Sequence, residues 1–265
     1  MGRFIGHSRG SGCNSPVKPC EKPAVFLTAE WRSLVMINYA VEPAVLAPHV
    51  PRGVELDLWQ GEALVSMVGF RFLKTRVLGV PIPFHQNFDE VNLRFYVRRQ
   101  SAGEWRRGVV FVREIVPRLA IAAVAQAAYN EPYLSLPMRH RVPSALKEGD
   151  PLEYRWRFRG RWHGLGATLT GEPRDIQEGS AEEFIFEHYY GYTRQRDGGT
   201  VEYQVEHPRW RAWQTSGSTL DVDVPALYGE PFAASLARKP RSAFVAEGSP
   251  VLVRRGVRLA AAWRL

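Results

Sequence analysis

Lysine is nearly missing. Of 35 basic residues only Lys18, Lys22, Lys74, Lys147 and Lys239 are lysines, and arginine supplies the rest. Such a bias is what a GC-rich genome produces, so the net charge of +8 points only weakly to a polyanion, although it favours anionic partners electrostatically. Arginine is spread along the chain and forms no basic block of the kind that marks a nucleic-acid patch. Cysteine is almost as scarce. Cys13 and Cys20 both fall in the Gly/Ser/Pro-rich lead, match no zinc spacing, and leave the fold independent of disulfides. No apolar run approaches the ~18–20 residues that cross a bilayer. The lead has no apolar stretch suited to a secretory signal, and Gly6 stands where a myristoylation pattern needs Ser or Thr. These absences predict a cytoplasmic protein with no membrane partner.

Cofactor and metal signatures are missing too. His7, His49, His85, His140, His163, His188 and His207 form no H-x-H or H-x-x-x-H pair, so no metal is expected. Gly164-Leu165-Gly166 lacks the third glycine and the following helix of a dinucleotide fingerprint. Gly6-His7-Ser8-Arg9-Gly10 matches the nucleophile-elbow pattern by letter, but no strand precedes it to expose the serine. No cofactor is implied.

What the chain does have is aromatic and β-branched residues in short runs. Eight tryptophans and thirteen phenylalanines can fill a sizeable core and argue against general disorder. Residues 1–23 carry no periodicity and many breakers, and read as a disordered tail. From residue 24 to 265 the pattern is that of one domain. Runs 31–41, 54–58, 63–72, 90–97, 108–116, 151–160, 163–171, 183–193, 200–208 and 249–259 read as strands separated by Gly or Pro. Pro43 opens a short helical or turn segment to His49, and residues 225–242 have room for one turn of helix. After Pro117, residues 118–130 are rich in strong helix formers and give the best helix. Many strands with one good helix predict an α+β, mainly β fold built on a curved antiparallel sheet.

The cleanest alternation is Glu90 to Val97. Val91, Leu93, Phe95 and Val97 share one face; Glu90, Asn92, Arg94 and Tyr96 share the other. The polar face is either the wet side of an ordinary strand or the lumen of a barrel. In the second case a carboxylate, an amide and a guanidinium converge on a small ligand. Arg113 and Glu114 are either an ion pair, since buried charges need partners, or part of the same pocket. Residues 184–194 gather His188, Tyr190 and Tyr192; His188 is a candidate pocket residue, while the tyrosines read as a cross-strand ladder. Residues 201–210 read as the hairpin partner of that strand, with Glu202 and Glu206 facing solvent. Arg155, Arg157 and Arg159 alternate on one strand face, the normal look of a solvated side, so nucleic-acid binding is disfavoured.

Several linked segments resemble a known family. FLTAEWRSLVMINYAVEPAVLAPHVPRGVELDLWQGEALVSMVGFRF, NFDEVNLRFYV, GVVFVREIVPRLAIAAVAQAAYNEPY, EHYYGYTR, VEYQVEHPRW and FVAEGSPVLV, in this order over residues 25–259, resemble the YqjF-like family of unknown function. That family belongs to the acetoacetate decarboxylase-like superfamily. The resemblance implies a cone-like barrel, closed by the bent sheet around a cavity, with few helices. It also implies a reactive lysine that forms a Schiff base with a keto acid. The matching stretch is Tyr129 to Leu134, where Tyr133 and Leu134 stand in place of the lysine pair, and Lys147 lies well beyond it. Glu90 corresponds to the glutamate of the family's cavity. The expectation is therefore a cavity protein for a small, anionic organic molecule. Glu90 would be the acid/base, with Asn92, Arg94, Arg113, Tyr129, Tyr133 and His188 around the ligand. Its activity would be a cofactor-independent lyase or hydratase step, or else binding and sensing alone. Self-association stays open.

Overall fold

The computed structural model describes residues 22–117 and 130–260. The predicted helix over 118–130 lies, except for its last residue, outside the described residues, as do Tyr129, Lys18 and most of the predicted tail. The first half of the chain forms strands β1 (Val25–Val41), β2 (Glu55–Leu56), β3 (Ala63–Val77), β4 (Val80–Pro81), β5 (Phe88–Ser101) and β6 (Glu104–Val116). Short strands β7 (Tyr133–Ser135) and β8 (Met138–Arg141) lead to β9 (Pro151–Phe158), β10 (Arg161–Asp175), β11 (Tyr190–Arg194) and β12 (Thr200–Glu206). The last are β13 (Arg211–Asp221), β14 (Ser242–Arg254) and β15 (Val257–Arg258).

Strands β12, β11, β6, β5, β3, β1 and β14 lie side by side, and pairing of β12 with β14 at Val205↔Val253 closes them into a ring. The predicted fold is therefore observed: mainly β, few helices, a curved sheet shut on itself, though not an even barrel. Most pairings are antiparallel, but β11 runs parallel to β6 through Tyr190↔Gly108 and Gly191↔Val109. That junction needs its glycines: a Cβ on Gly108 would stand 2.5 Å from the Tyr190 carbonyl oxygen. From β14 the sheet continues through β13, β10, β9 and β8.

This extension folds over the outside of the ring. Tyr154, Trp156, Leu165 and Leu169 pack on Val35, Ile37, Met67, Val91, Leu93 and Phe95 in one apolar core. The predicted single helical turn near residue 225 is in fact two helices. We label the short helix Pro43–Leu46 α1; these two are α3 (Val224–Tyr228) and α4 (Glu230–Leu236), and they pack into the same core. A second cluster, with Leu34, Met36, Val68, Phe70, Phe72 and Phe88, lies on the inner face of the ring.

The strand predicted over 183–193 is two elements. Residues Ala181–Phe186 form helix α2, and only from Tyr190 does the chain enter β11. The cause is local: the Ser180 hydroxyl accepts from the Glu183 amide at 3.1 Å, an N-cap that starts a helix before an apolar run. α2 thereby places Phe184, Ile185 and Phe186 in the inner cluster. Strand β13 escaped the sequence reading because Gln214, Ser216, Gly217 and Ser218 are weak β-formers, and β14 starts at Ser242, seven residues before the predicted strand.

Candidate active site

Period-two alternation along β5 decides which residues meet. Val91, Leu93, Phe95 and Val97 are buried in the outer core, while Glu90, Asn92 and Arg94 line a cavity inside the ring. The cavity holds about 250 Å³. Its walls are mostly apolar, with Trp31, Phe70, Phe72, Phe88 and Phe111 prominent.

A single irregularity controls what β6 contributes. Leu93 pairs with Arg113 but Arg94 pairs with Phe111, so one extra residue bulges from β6. Beyond the bulge the faces exchange. Glu114, opposite Asn92, enters the cavity, whereas Arg113 sits opposite Leu93 and is not among the lining residues. Arg113 is thus a correction: it bears electrostatically on Tyr228 of the outer core. Nor do Arg113 and Glu114 form an ion pair, because they point to opposite sides of the sheet.

Glu131, which sequence reasoning missed, joins Glu90 and Glu114. It sits just before β7, which pairs with β6 at Tyr133↔Glu114. No periodic signal marks a residue in such a connection. The three glutamates are 2%, 2% and 6% exposed for Glu90, Glu114 and Glu131, which removes water as a partner for their charge. Asn92 Nδ2 donates to Glu90 Oε1 at 3.0 Å, and the Tyr133 hydroxyl donates to Glu90 Oε2 at 3.3 Å. The Tyr203 hydroxyl donates to Glu131 Oε1 at 3.0 Å. Tyr203 reaches across Gly191, where a Cβ would meet its ring at 2.1 Å, so only glycine allows that bond.

Burial pushes the Glu90 carboxyl up to about 7, against the pull of Asn92, Tyr133 and Arg94. Burial likewise pushes Glu131 up to about 8, with the Glu90 charge adding to it. Glu114 is raised well above the usual carboxylate range by burial and then by Glu131 and Glu90. Three carboxyls therefore share fewer than three charges at neutral pH. Glu114 Oε2, Asn92 Oδ1 and Arg94 Nε are buried without a hydrogen-bond partner among the described residues. Arg94 spends one Nη on the Ile185 carbonyl at 3.3 Å.

His188 also lines the cavity. Its Nε2 meets Asp57 Oδ2 at 3.3 Å, Arg107 Nε holds the same oxygen at 2.6 Å, and its ring packs on Tyr96 and Phe184. Burial pushes the imidazole down to about 4, so it is neutral. Tyr190, read from sequence as part of a ladder, stacks near Tyr192 with centroids 6.5 Å apart and lines the cavity as well.

Glu202 is a further correction. It is buried and bound by Arg99 of β5 at 3.0 Å and by Arg106 of β6, so β12 turns it toward arginines that reach over from beyond β11 rather than to water. Of the three alternating arginines, Arg155 and Arg157 share the less buried face of β9 with Tyr154 and Trp156 opposite, whereas Arg159 lies beyond the strand in the following turn with φ 48°.

No lysine is among the described lining residues. Lys74 pairs with Glu30 at 2.6 Å, Lys22 with Glu206 at 3.2 Å, and Lys147 and Lys239 are exposed. Among the described residues no group of three His, Cys, Asp or Glu side chains could hold a metal ion. No helix among them is long and apolar enough to cross a membrane.

Comparison with known proteins decides the kinship. The family model for DUF2071, an uncharacterized conserved protein family, matches residues 28–250. The chain belongs to DUF2071. It is similar to the uncharacterized protein YqjF of Bacillus subtilis (strain 168), 26% identical over 204 residues, which is 73% of this chain and 76% of that protein. Among solved structures, this DUF2071 chain is similar to acetoacetate decarboxylase from Legionella pneumophila, with TM-score 0.63 and 15% identity over 97% and 98% of the two chains. The enduracididine biosynthesis enzyme MppR, solved with pyruvate, gives TM-score 0.65 and 14% identity over 96% and 99%. An acetoacetate decarboxylase-like enzyme from Sphingomonas wittichii RW1 gives 0.64 and 14% over 96% and 100%. At such identities these likenesses establish the fold of this DUF2071 member and leave its chemistry to its own residues.

Proposed function

We propose that the cavity binds a small organic acid with an apolar body and acts on it by proton transfer, as a lyase or hydratase without a Schiff base. The observation that carries this reading is the placement of Arg94 beside Glu90 in a mostly apolar cavity. The guanidinium has an unpartnered Nε and is the arginine among the described lining residues, so a ligand carboxylate would complete it. Glu90, titrating at about 7, is half-ionised where a general base is most effective.

Glu90 in its ionised form would take the proton from the carbon next to the activated group. The electron pair left behind forms the new double bond as the leaving group departs. Glu131, still protonated at neutral pH with its value of about 8, would supply the proton that the leaving group needs. Two carboxyls with separated affinities for a proton thus divide the base and acid roles. Tyr133, where the superfamily's lysine is expected, bonds Glu90 and would position it. Without an amine at the site no imine forms. Fold likeness to MppR, whose structure holds pyruvate, supports a small organic acid as the ligand class.

The test is a screen of keto, hydroxy and unsaturated acids by calorimetry, with mass spectrometry of the recovered ligand. Arg94→Ala is expected to weaken binding about tenfold or more. Glu90→Gln should leave binding within a few fold and abolish turnover. Unchanged binding of every acid by Arg94→Ala, or turnover retained by Glu90→Gln, would refute the reading. A ligand bound tightly and recovered unaltered would mark a binding or sensing module instead.

A further inference from the structure

The cavity floor holds two acceptor atoms with no hydrogen-bond partner among the described residues. Glu114 Oε2 and Asn92 Oδ1 are buried and unpartnered, on residues each 2% exposed that face each other across β5 and β6. Asn92 stands outside the group of glutamates, so its bare oxygen is a separate sign that a donor belongs here. Native interiors rarely leave such atoms empty.

The charge balance says what kind of donor. Glu90, Glu114 and Glu131 are set against the one guanidinium of Arg94 among the described lining residues. A hydroxyl would satisfy one acceptor and give the carboxyls no counter-charge against which to ionise. An ammonium brings three N–H donors and the missing positive charge. Spacing fits a short molecule: same-face positions two apart on a strand are separated by roughly 7 Å, so Arg94 and the Asn92–Glu114 rung can hold opposite ends of one small ligand. Trp31, Phe70, Phe88 and Phe111 are left to cover its apolar part.

We propose, building on the reading of this cavity as an organic-acid site, that its ligand is amphoteric. It is a short amino acid whose carboxylate meets Arg94 and whose ammonium sits between Glu114 and Asn92. The three carboxyls, held above their ordinary values by burial, ionise when the ammonium arrives. Binding therefore releases protons.

Calorimetry on the intact chain at about pH 7, in phosphate and in Tris, tests this with phenylalanine, 3-amino-3-phenylpropanoate and 4-aminobutanoate. Each is set against its deaminated acid. At least one amino acid should bind about tenfold or more tightly than its deaminated counterpart, with net proton release. Glu114→Gln should shrink that advantage to about threefold or less while the deaminated acid keeps its affinity. Should that variant not fold, the proton count and the pairwise affinities of the unsubstituted chain decide alone. Deaminated acids binding as tightly as the amino acids, or proton uptake on binding, would overturn the proposal while the organic-acid reading stands. If no acid of either kind binds, the organic-acid reading itself falls, and this proposal with it.

Discussion

The two faces of β5 are made by the same eight residues and meet opposite fates. On the outer face Val91, Leu93, Phe95 and Val97 are each 0% exposed and meet the folded-over extension of the sheet. On the inner face Glu90 and Asn92 are just as dry at 2%, yet they border a hollow of about 250 Å³. Burial alone therefore does not separate structure from function here. What separates them is whether the buried atoms have partners: the outer face is satisfied by apolar contact, while the inner face keeps bare polar atoms and carboxyls driven from their ordinary state. Stability should reside on one side and proton affinity on the other.

The largest test of that contrast is paired truncation. Phe95→Ala should cost ~3–5 kcal/mol in urea unfolding, because the packed side cannot collapse around the loss. Phe111→Ala, on the wall of a space that already exists, should cost only ~1–2 kcal/mol. Equal costs would mean that the two faces are energetically alike.

A second test uses pH. The raised carboxyls stabilise the fold fully below their unfolded value near 4.5, and that contribution is lost as pH rises through about 7 for Glu90 and about 8 for Glu131. Between pH ~6.5 and ~8.5 the depressed His49, His188 and His207 oppose this by at most ~0.4 kcal/mol each, because their unfolded counterparts, near 6.5, finish losing protons there. Stability should therefore decline from pH ~6.5 to ~8.5, by ~2 kcal/mol through Glu131 and ~1 kcal/mol through Glu90. Glu131→Gln should flatten the curve more than Glu90→Gln. A wild-type curve that rises over this range would contradict the assignment.

The smallest effect is the most specific. Tyr133→Phe removes a hydroxyl that holds the Glu90 value down, so Glu90 should titrate higher by roughly 0.5–1 unit. Carbon-detected NMR of the carboxyl reads it directly. No movement would show that Tyr133 does not act on Glu90.

Much of this contrast is written in the sequence, because alternation is local. The split of β5 into Glu90, Asn92 and Arg94 against Val91, Leu93 and Phe95 follows from period two, and the ring decides only that the polar side is enclosed. Arg113 was misread because a bulge is a tertiary event: strict alternation puts Arg113 with Phe111, and only the pairing with β5 reveals the slip. Glu131 and Tyr203 were missed for a similar reason. One lies in a connection and the other on a hairpin distant in sequence, and they meet through a bond across Gly191. Glu202 was misjudged because arginines of β5 and β6 reach over β11 to it where a simple hairpin would have water.

The bulge in β6 has a consequence for how such a protein can change. Removing Val112 from the chain would restore unbroken alternation and keep the pairs Arg94↔Phe111, Leu93↔Arg113 and Asn92↔Glu114, so the acid would stay in the chamber and the base outside it. The electrical character of the chamber would survive loss of that codon. A slip of β6 by one position that absorbed the extra residue would instead trade the acid for the base, so it is register that guards which class of molecule the chamber accepts.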